Sequence, residues 1–170
     1  MDMSPKILVS SCLIGKNCAY DGKNRYSGAV LALCKKYGYV DICPEVAGGL
    51  PIPREAHEIN GGSGEDVLDG KCTVIAPSGE DISAYFVRGA EITLEKAVAD
   101  SVTLAIMKAR SPSCGSGKIY AGSFDRELKE GNGVAAALLI RNGIPVLTEE
   151  EIPEAVRILE GRQNASGRGV

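Results

Sequence analysis

Of the six cysteines in this 170-residue chain, three stand where a strand would end. Cys12 follows the apolar run 6–10, Cys43 follows 39–42, and Cys114 lies in the segment KARSPSCGSGK that follows 102–107. A thiol in such a place can form a disulfide, act as a nucleophile, bind a metal, or fill space as a small hydrophobe. The intervals between the three are long and no C-x-x-C pair exists. The spacing is therefore not that of a zinc ribbon or a ferredoxin. Topology groups the three thiols, because loops rich in Pro, Gly and Ser at strand ends are poor places for an inert core residue. Three thiolates can hold a [4Fe–4S] cluster and leave its fourth iron open as a Lewis acid.

Other residues near these thiols could do chemistry too. Glu45 follows Cys43-Pro44, and a carboxylate there can serve as a general base toward water; it can equally cap a turn or pair with Arg54. Ser111 and Ser113 flank Pro112 before Cys114. Their hydroxyls can donate to sulfur, orient a ligand, or cap a helix start. The lone His57 has no partner set that spacing identifies, which argues against a His-dependent nucleophilic triad. Cys34 and Cys72 read as space-filling thiols. Cys18 lies six residues after Cys12. It reads as a turn or core residue, or a thiol near the site entrance, since a fourth thiolate would close the cluster to substrate. Tyr20-Asp21-Gly22 is a turn signal.

The elements that position these groups are visible as short patterns. Residues 6–10 predict a buried strand, 27–37 a helix stopped by Gly38, and 39–42 a second strand, making a βαβ unit. The stretch 43–64 has three prolines and five glycines without a period, as functional or disordered loops do. Residues 66–69 and 72–76 predict a small hairpin around Asp69-Gly70. A helix at 82–99, a strand at 102–107, a helix at 132–142, a strand at 144–147 and a short helix at 149–160 follow. The tail 161–170 predicts a flexible end. The alternation implies an α/β fold, a single domain over 1–160 with a mostly parallel sheet and a small β-hairpin insertion. Ligands of such sheets sit at the carboxyl ends of the strands, the edge that carries Cys12, Cys43 and Cys114.

Composition excludes several classes. A net charge of −3 argues against a general nucleic-acid binder. No apolar run is long enough to span a membrane, and the N-terminus does not read as a signal peptide. A chain of this length buries roughly two thirds of its unfolded surface and needs no disulfide staples. Clustered cysteines without an export signal point to the cytoplasm, and to metal binding or catalysis.

Three blocks, SSCLIGKNCAYDG, CPEVAGGLPIPREAHEI and KARSPSCGSGKIYAG, resemble in order the motifs of a small bacterial family that includes the 2-thiouracil desulfidases. The resemblance runs from about Lys6 to Leu147. It implies a Rossmann-type α/β domain with a [4Fe–4S] cluster on Cys12, Cys43 and Cys114, a catalytic carboxylate at Glu45 and a catalytic serine at Ser111. It also implies a small thiolated heterocycle as substrate: sulfur binds the open iron while Glu45 activates water. Iron in a sulfur environment suits a soft sulfur ligand. Where the family often has Arg before Y-D-G this chain has Ala19, and Ala56 stands where a second proline is common. Two other readings use the same thiols: a non-catalytic cluster or iron-sensing protein, and a metal-free thiol or persulfide redox protein.

Overall fold

The computed structural model describes residues 4–168. Its centre is a four-stranded sheet in the order β2-β1-β5-β8, formed by β1 (Ile7–Ser10), β2 (Tyr39–Ile42), β5 (Leu104–Met107) and β8 (Val146–Thr148). Every pairing in it is parallel. All four carboxyl ends therefore lie on one edge.

Both faces of this sheet are covered, and the strand period of two divides its residues between them. Ile7, Val9, Leu104 and Ile106 pack with Val30, Cys34, Ala155 and Leu159, from α1 (Gly28–Tyr37) and α6 (Ile152–Gly167). Leu8, Ala105 and Met107 pack with Phe86, Ala90, Ala97, Val134 and Leu139, from α4 (Ser83–Ala99) and α5 (Val134–Arg141). Helix α1 begins at an N-cap, Ser27, whose side chain accepts from the Val30 N–H, and ends at Gly38. Lys35 and Lys36 sit in its last turn, where the helix dipole favours positive charge.

Between the sheet strands lie smaller elements: α2 (Pro44–Ala47), β3 (Glu58–Asn60), α3 (Gly64–Leu68), β4 (Thr73–Ile75), β6 (Lys118–Tyr120) and β7 (Leu128–Glu130). Strands β3 and β4 pair antiparallel, as do β6 and β7.

Two sequence expectations change, and one hairpin goes unforeseen. Residues 66–69 do not form the first arm of a hairpin; they belong to the end of α3 and its C-cap. Ser63 and Asp66 make a reciprocal capping box, and those local hydrogen bonds outweigh the turn signal of Asp69-Gly70. The true partner of β4 is β3, on the far side of that helix. The β6–β7 hairpin has three-residue strands, too short for a period to show. The final helix runs on to Gly167 rather than stopping at 160, while 169–170 lie outside the described residues.

Two close backbone contacts fix the loops that carry the candidate chemistry. Gly48 ends α2 against α4, where an added Cβ would overlap the Tyr85 carbonyl. A Cβ on Gly89 would overlap the Pro44 carbonyl in the same seam. Helix α2 thus docks backbone to backbone. At the other side of the site, the N-cap of α5 is Gly133, with no side-chain cap. Its first-turn N–H groups are instead satisfied by the loop before Cys114. Val134 N–H donates to the Pro112 carbonyl (2.8 Å), and Ala135 and Ala136 donate to the Ser113 carbonyl (2.9 and 3.1 Å). Donors that a helix start leaves orphaned here hold the cysteine loop.

Candidate active site

The carboxyl edge of the sheet opens into a cavity of about 530 Å³. Cys12, Cys43, Cys114, Glu45 and Ser111 all line it, and so does Cys18. Each reaches it by a different route. Cys12 sits in a 3-10 turn directly after β1 (Ser11–Ile14), ended by Gly15 at φ 100°. Cys43 is the N-cap of α2, with Pro44 at the first helical position. Cys114 is buried in the loop held by α5. Cys34 is buried instead beneath α1, and Cys72 donates to the Ser63 carbonyl (3.5 Å). Neither lines the cavity.

The thiols sense one another. Burial pushes Cys12 up to about 11, and Cys43 adds to the rise. Burial likewise pushes Cys114 up to about 12, although the Ser10 and Ser113 hydroxyls oppose it. Cys43 behaves in the opposite sense. As a thiol it donates to the Cys18 carbonyl (3.7 Å). As a thiolate it accepts from the Cys18 thiol and from the Val46 N–H, which bring it down to about 7 against the effect of burial. Arg54 Nη2 also lies 3.8 Å from its sulfur. Cys18 is raised in turn, chiefly by that hydrogen bond and then by burial. Topology anticipates the meeting of Cys12, Cys43 and Cys114, but not the contact between Cys18 and Cys43.

Glu45 is held at both oxygens. Arg54 Nε donates to Oε1 (3.0 Å), and the Ser113 hydroxyl donates to Oε2 (2.8 Å). The ion pair is largely buried, with 4 % of the Arg54 side chain and 13 % of the Glu45 side chain exposed. Arg54 also donates to the Cys18 and Pro51 carbonyls (3.0 and 3.2 Å). Pairing of Glu45 with Arg54, one of the sequence alternatives, is therefore present, and the carboxylate still faces the cavity. Ser111 accepts from the backbone N–H groups of Ser113 and Cys114 (3.2 and 3.1 Å) and lies 3.0 Å from the Ser113 hydroxyl. Its hydroxyl thus builds the turn, and Ser113 is the serine that touches Glu45.

Sequence reading does not find the rest of the wall. Lys108 Nζ donates to Glu149 Oε1 (2.7 Å), and the Ala109 N–H donates to Oε2 (2.8 Å). That clamp ties the end of β5 to the end of β8. His57 lines the cavity and is buried, edge-on to Phe86 at 5.9 Å, with no partner for Nδ1 among the described residues. Burial lowers its pKa.

Comparison with known proteins decides what this arrangement belongs to. The sequence model of the 2-thiouracil desulfurase family matches residues 7–151, a span that takes in all of the cavity residues named above. The chain belongs to that family. A relative, the uncharacterised protein YbbK of Bacillus subtilis (strain 168), is 44 % identical over 146 residues, covering 86 % of this chain and 97 % of YbbK. A solved structure of the [4Fe-4S]-dependent thiouracil desulfidase TudS (DUF523Vcz) superposes with a TM-score of 0.80 at 41 % identity, covering 92 % of this chain and 98 % of TudS. The α/β fold and parallel sheet expected from the sequence agree with that neighbour. No helix among the described residues is long and apolar enough to cross a membrane.

Proposed function

We propose that this protein is a [4Fe–4S]-dependent desulfidase that removes sulfur from a small thiolated pyrimidine such as 2-thiouracil. The observation that carries the reading is the meeting of Cys12, Cys43 and Cys114 with Glu45 at one cavity, in a chain that belongs to the 2-thiouracil desulfurase family and resembles TudS along nearly its whole length.

The donor set fits such a cluster. Among the described residues no group of His, Cys, Asp or Glu is arranged to hold a single metal ion. A cluster asks for something different, one thiolate on each of several irons, and three separate strand ends can supply that. A hydrogen-bond donor also stands near one of the sulfurs, Arg54 at Cys43. Such donors stabilise an anionic sulfur-ligated group. Held by Cys12, Cys43 and Cys114, such a cluster would supply an open iron, a Lewis acid suited to a sulfur ligand.

The protein's own residues supply the proton chemistry. Arg54 and Ser113 fix both oxygens of Glu45 in one orientation, and the carboxylate takes a proton from the attacking water. Ser111 keeps the Ser113–Cys114 turn in shape through its two accepted N–H bonds, so its contribution passes through the position of Ser113. Anaerobic preparation with iron and sulfide analysis, followed by sulfide release from 2-thiouracil, tests the reading. The expected protein binds close to four irons and releases sulfide, and Glu45→Gln keeps the irons while losing most of the release. Stoichiometric zinc without iron after reconstitution, or a Glu45→Gln protein as active as its parent, overturns it.

The contact between Cys18 and Cys43 favours one rival, a cluster closed by four thiolates in a non-catalytic protein. Cys18→Ser separates the two. Under the desulfidase reading it keeps both cluster and activity; under the rival it loses iron.

A further inference from the structure

One wall of the cavity does not come from the sheet edge. The turn between β6 and β7, residues 121–127, brings Phe124 and Arg126 to the cavity lining beside Tyr120. Both residues adopt the left-handed backbone, at φ 57° and 68°. That conformation is unfavourable for any residue with a Cβ, and where it persists it tends to mark ligand clamps held by their surroundings.

The holding groups are identifiable. Glu58, 7 % exposed, accepts at Oε1 from the Gly122 N–H (2.9 Å) and the Phe124 N–H (3.3 Å). Within the turn, Asp125 Oδ1 accepts from the Ser123 hydroxyl (2.6 Å) and the Glu127 N–H (3.0 Å). A Cβ on Gly122 would come within 2.7 Å of the Ile59 carbonyl, so the turn lies flat on β3.

Charge singles out one of these residues. Three cations of the cavity wall are neutralised locally: Arg25 by Asp21, Arg54 by Glu45 and Lys108 by Glu149. Arg126, the fourth lysine or arginine of the cavity wall, has no ion pair or hydrogen bond among the described residues. Phe124 is equally out of place. It is one of two phenylalanines in the chain, and the other, Phe86, is fully buried in the core. An aromatic face and a free guanidinium two residues apart suit a flat ring with an exocyclic oxygen.

We propose that the 121–127 turn is the specificity-determining wall of the site. Phe124 stacks on the plane of the heterocycle and Arg126 donates to its exocyclic carbonyl oxygen. Glu58 is a positioning residue that keeps the turn in its left-handed form. The inference rests on the thiolated-pyrimidine reading above. In a 2-thiouracil ring the sulfur and the carbonyl oxygen are separate exocyclic atoms, so the sulfur is left to the thiol side of the cavity while the oxygen meets Arg126.

The test uses cluster-loaded protein whose iron content matches the parent. Steady-state sulfide release from 2-thiouracil is combined with equilibrium dialysis of uracil, which has the ring and carbonyl but no sulfur. Loss of base–aromatic stacking in Phe124→Ala raises KM and weakens uracil binding by about 5- to 150-fold. Its kcat stays within about threefold, the signature of binding lost equally from ground and transition states. Arg126→Ala raises KM for 2-thiouracil and leaves it unchanged for 2-thiopyrimidine, which lacks the carbonyl. Glu58→Ala repeats the Phe124→Ala pattern, and Glu58→Gln restores it because the amide oxygen can still accept both N–H groups. A Phe124→Ala protein with unchanged KM and uracil affinity overturns the proposal, as does a Glu58→Gln protein no better than Glu58→Ala. A parent protein that binds uracil through Phe124 yet releases no sulfide overturns the desulfidase reading and leaves the wall standing.

Discussion

Replacing Arg54 with methionine keeps an unbranched apolar stem and removes every side-chain donor. Four hydrogen bonds go with it, to Glu45 Oε1, the Cys18 carbonyl, the Pro51 carbonyl and, at longer range, the Cys43 sulfur. The largest consequence falls on Glu45, whose carboxylate is left beside a buried methionine with only the Ser113 hydroxyl as a partner. Breaking a buried ion pair from one side costs about 3–5 kcal/mol, and at this chain length each kcal/mol lowers Tm by about 2–4 °C. A fall in Tm of about 10 °C is therefore expected for Arg54→Met. Thermal unfolding of the cluster-free protein, followed by far-ultraviolet circular dichroism under reducing conditions, measures it. Glu45→Gln completes a double-mutant cycle: with no carboxylate to strand, Arg54→Met should cost less by at least about 1 kcal/mol. A fall smaller than about 3 °C, or costs that simply add, would refute the claim that this pair is what holds Glu45.

Three further outcomes follow from the geometry. Gly89→Ala drives a methyl group into the Pro44 carbonyl and should destabilise by about 3 kcal/mol or more through overpacking, read as a fall in urea midpoint. Gly161→Ala, inside α6 with nothing near its Cβ, should do the reverse by about 0.5–1 kcal/mol from helix propensity. In the cluster-free protein at pH 7.5, iodoacetamide followed by peptide mapping should label Cys43 well before Cys12 or Cys114. Its folded pKa of about 7 lies below the ordinary 9.0, while Cys12 and Cys114 lie near 11 and 12. The reactive form is the thiolate, so labelling of Cys43 should fade as pH drops through 7.

The sequence exposes those parts of the fold that depend on neighbours in the chain. Ile7–Ser10 and Leu104–Met107 show as apolar runs because parallel strands covered on both faces are apolar throughout, while the edge strand Tyr39–Ile42, which carries Asp41 and is only partly buried, shows by its place directly after the helix stop at Gly38. The position of Cys12, Cys43 and Cys114 on one edge follows from that alone. Ser63 and Asp66 are a capping box that could have been read, and it would have placed α3 where a hairpin arm was expected. What stays hidden is set by distant pairings. Glu58 reaches Gly122 across 64 positions, and Ser113 reaches Glu45 across 68. No local pattern announces either contact. Cys18 meets Cys43 because Cys18 lies in the loop that wraps back from the 3-10 turn, where Arg25 N–H donates to the Cys12 carbonyl (2.8 Å).

The strand order β2-β1-β5-β8 also sets a timetable for the chain's synthesis. β1 can pair with β2 as soon as the first βαβ unit has formed, which brings Cys12 and Cys43 to neighbouring ends. The other side of β1 waits for β5, whose first contact is already a long one: the Lys6 N–H donates to Thr103 Oγ1, 97 positions away. Cys114 follows later still: its loop is held by the N-terminus of α5, at Val134–Ala136, and by the hydrogen bond from Ser113 to Glu45. A chain emerging from the ribosome therefore cannot present the full set of thiols until most of its length is out. Any metal taken up earlier would meet two cysteines in an unfinished sheet. The long-range pairing that slows folding of such a topology delays the meeting of the three thiols until the cavity that shields them exists.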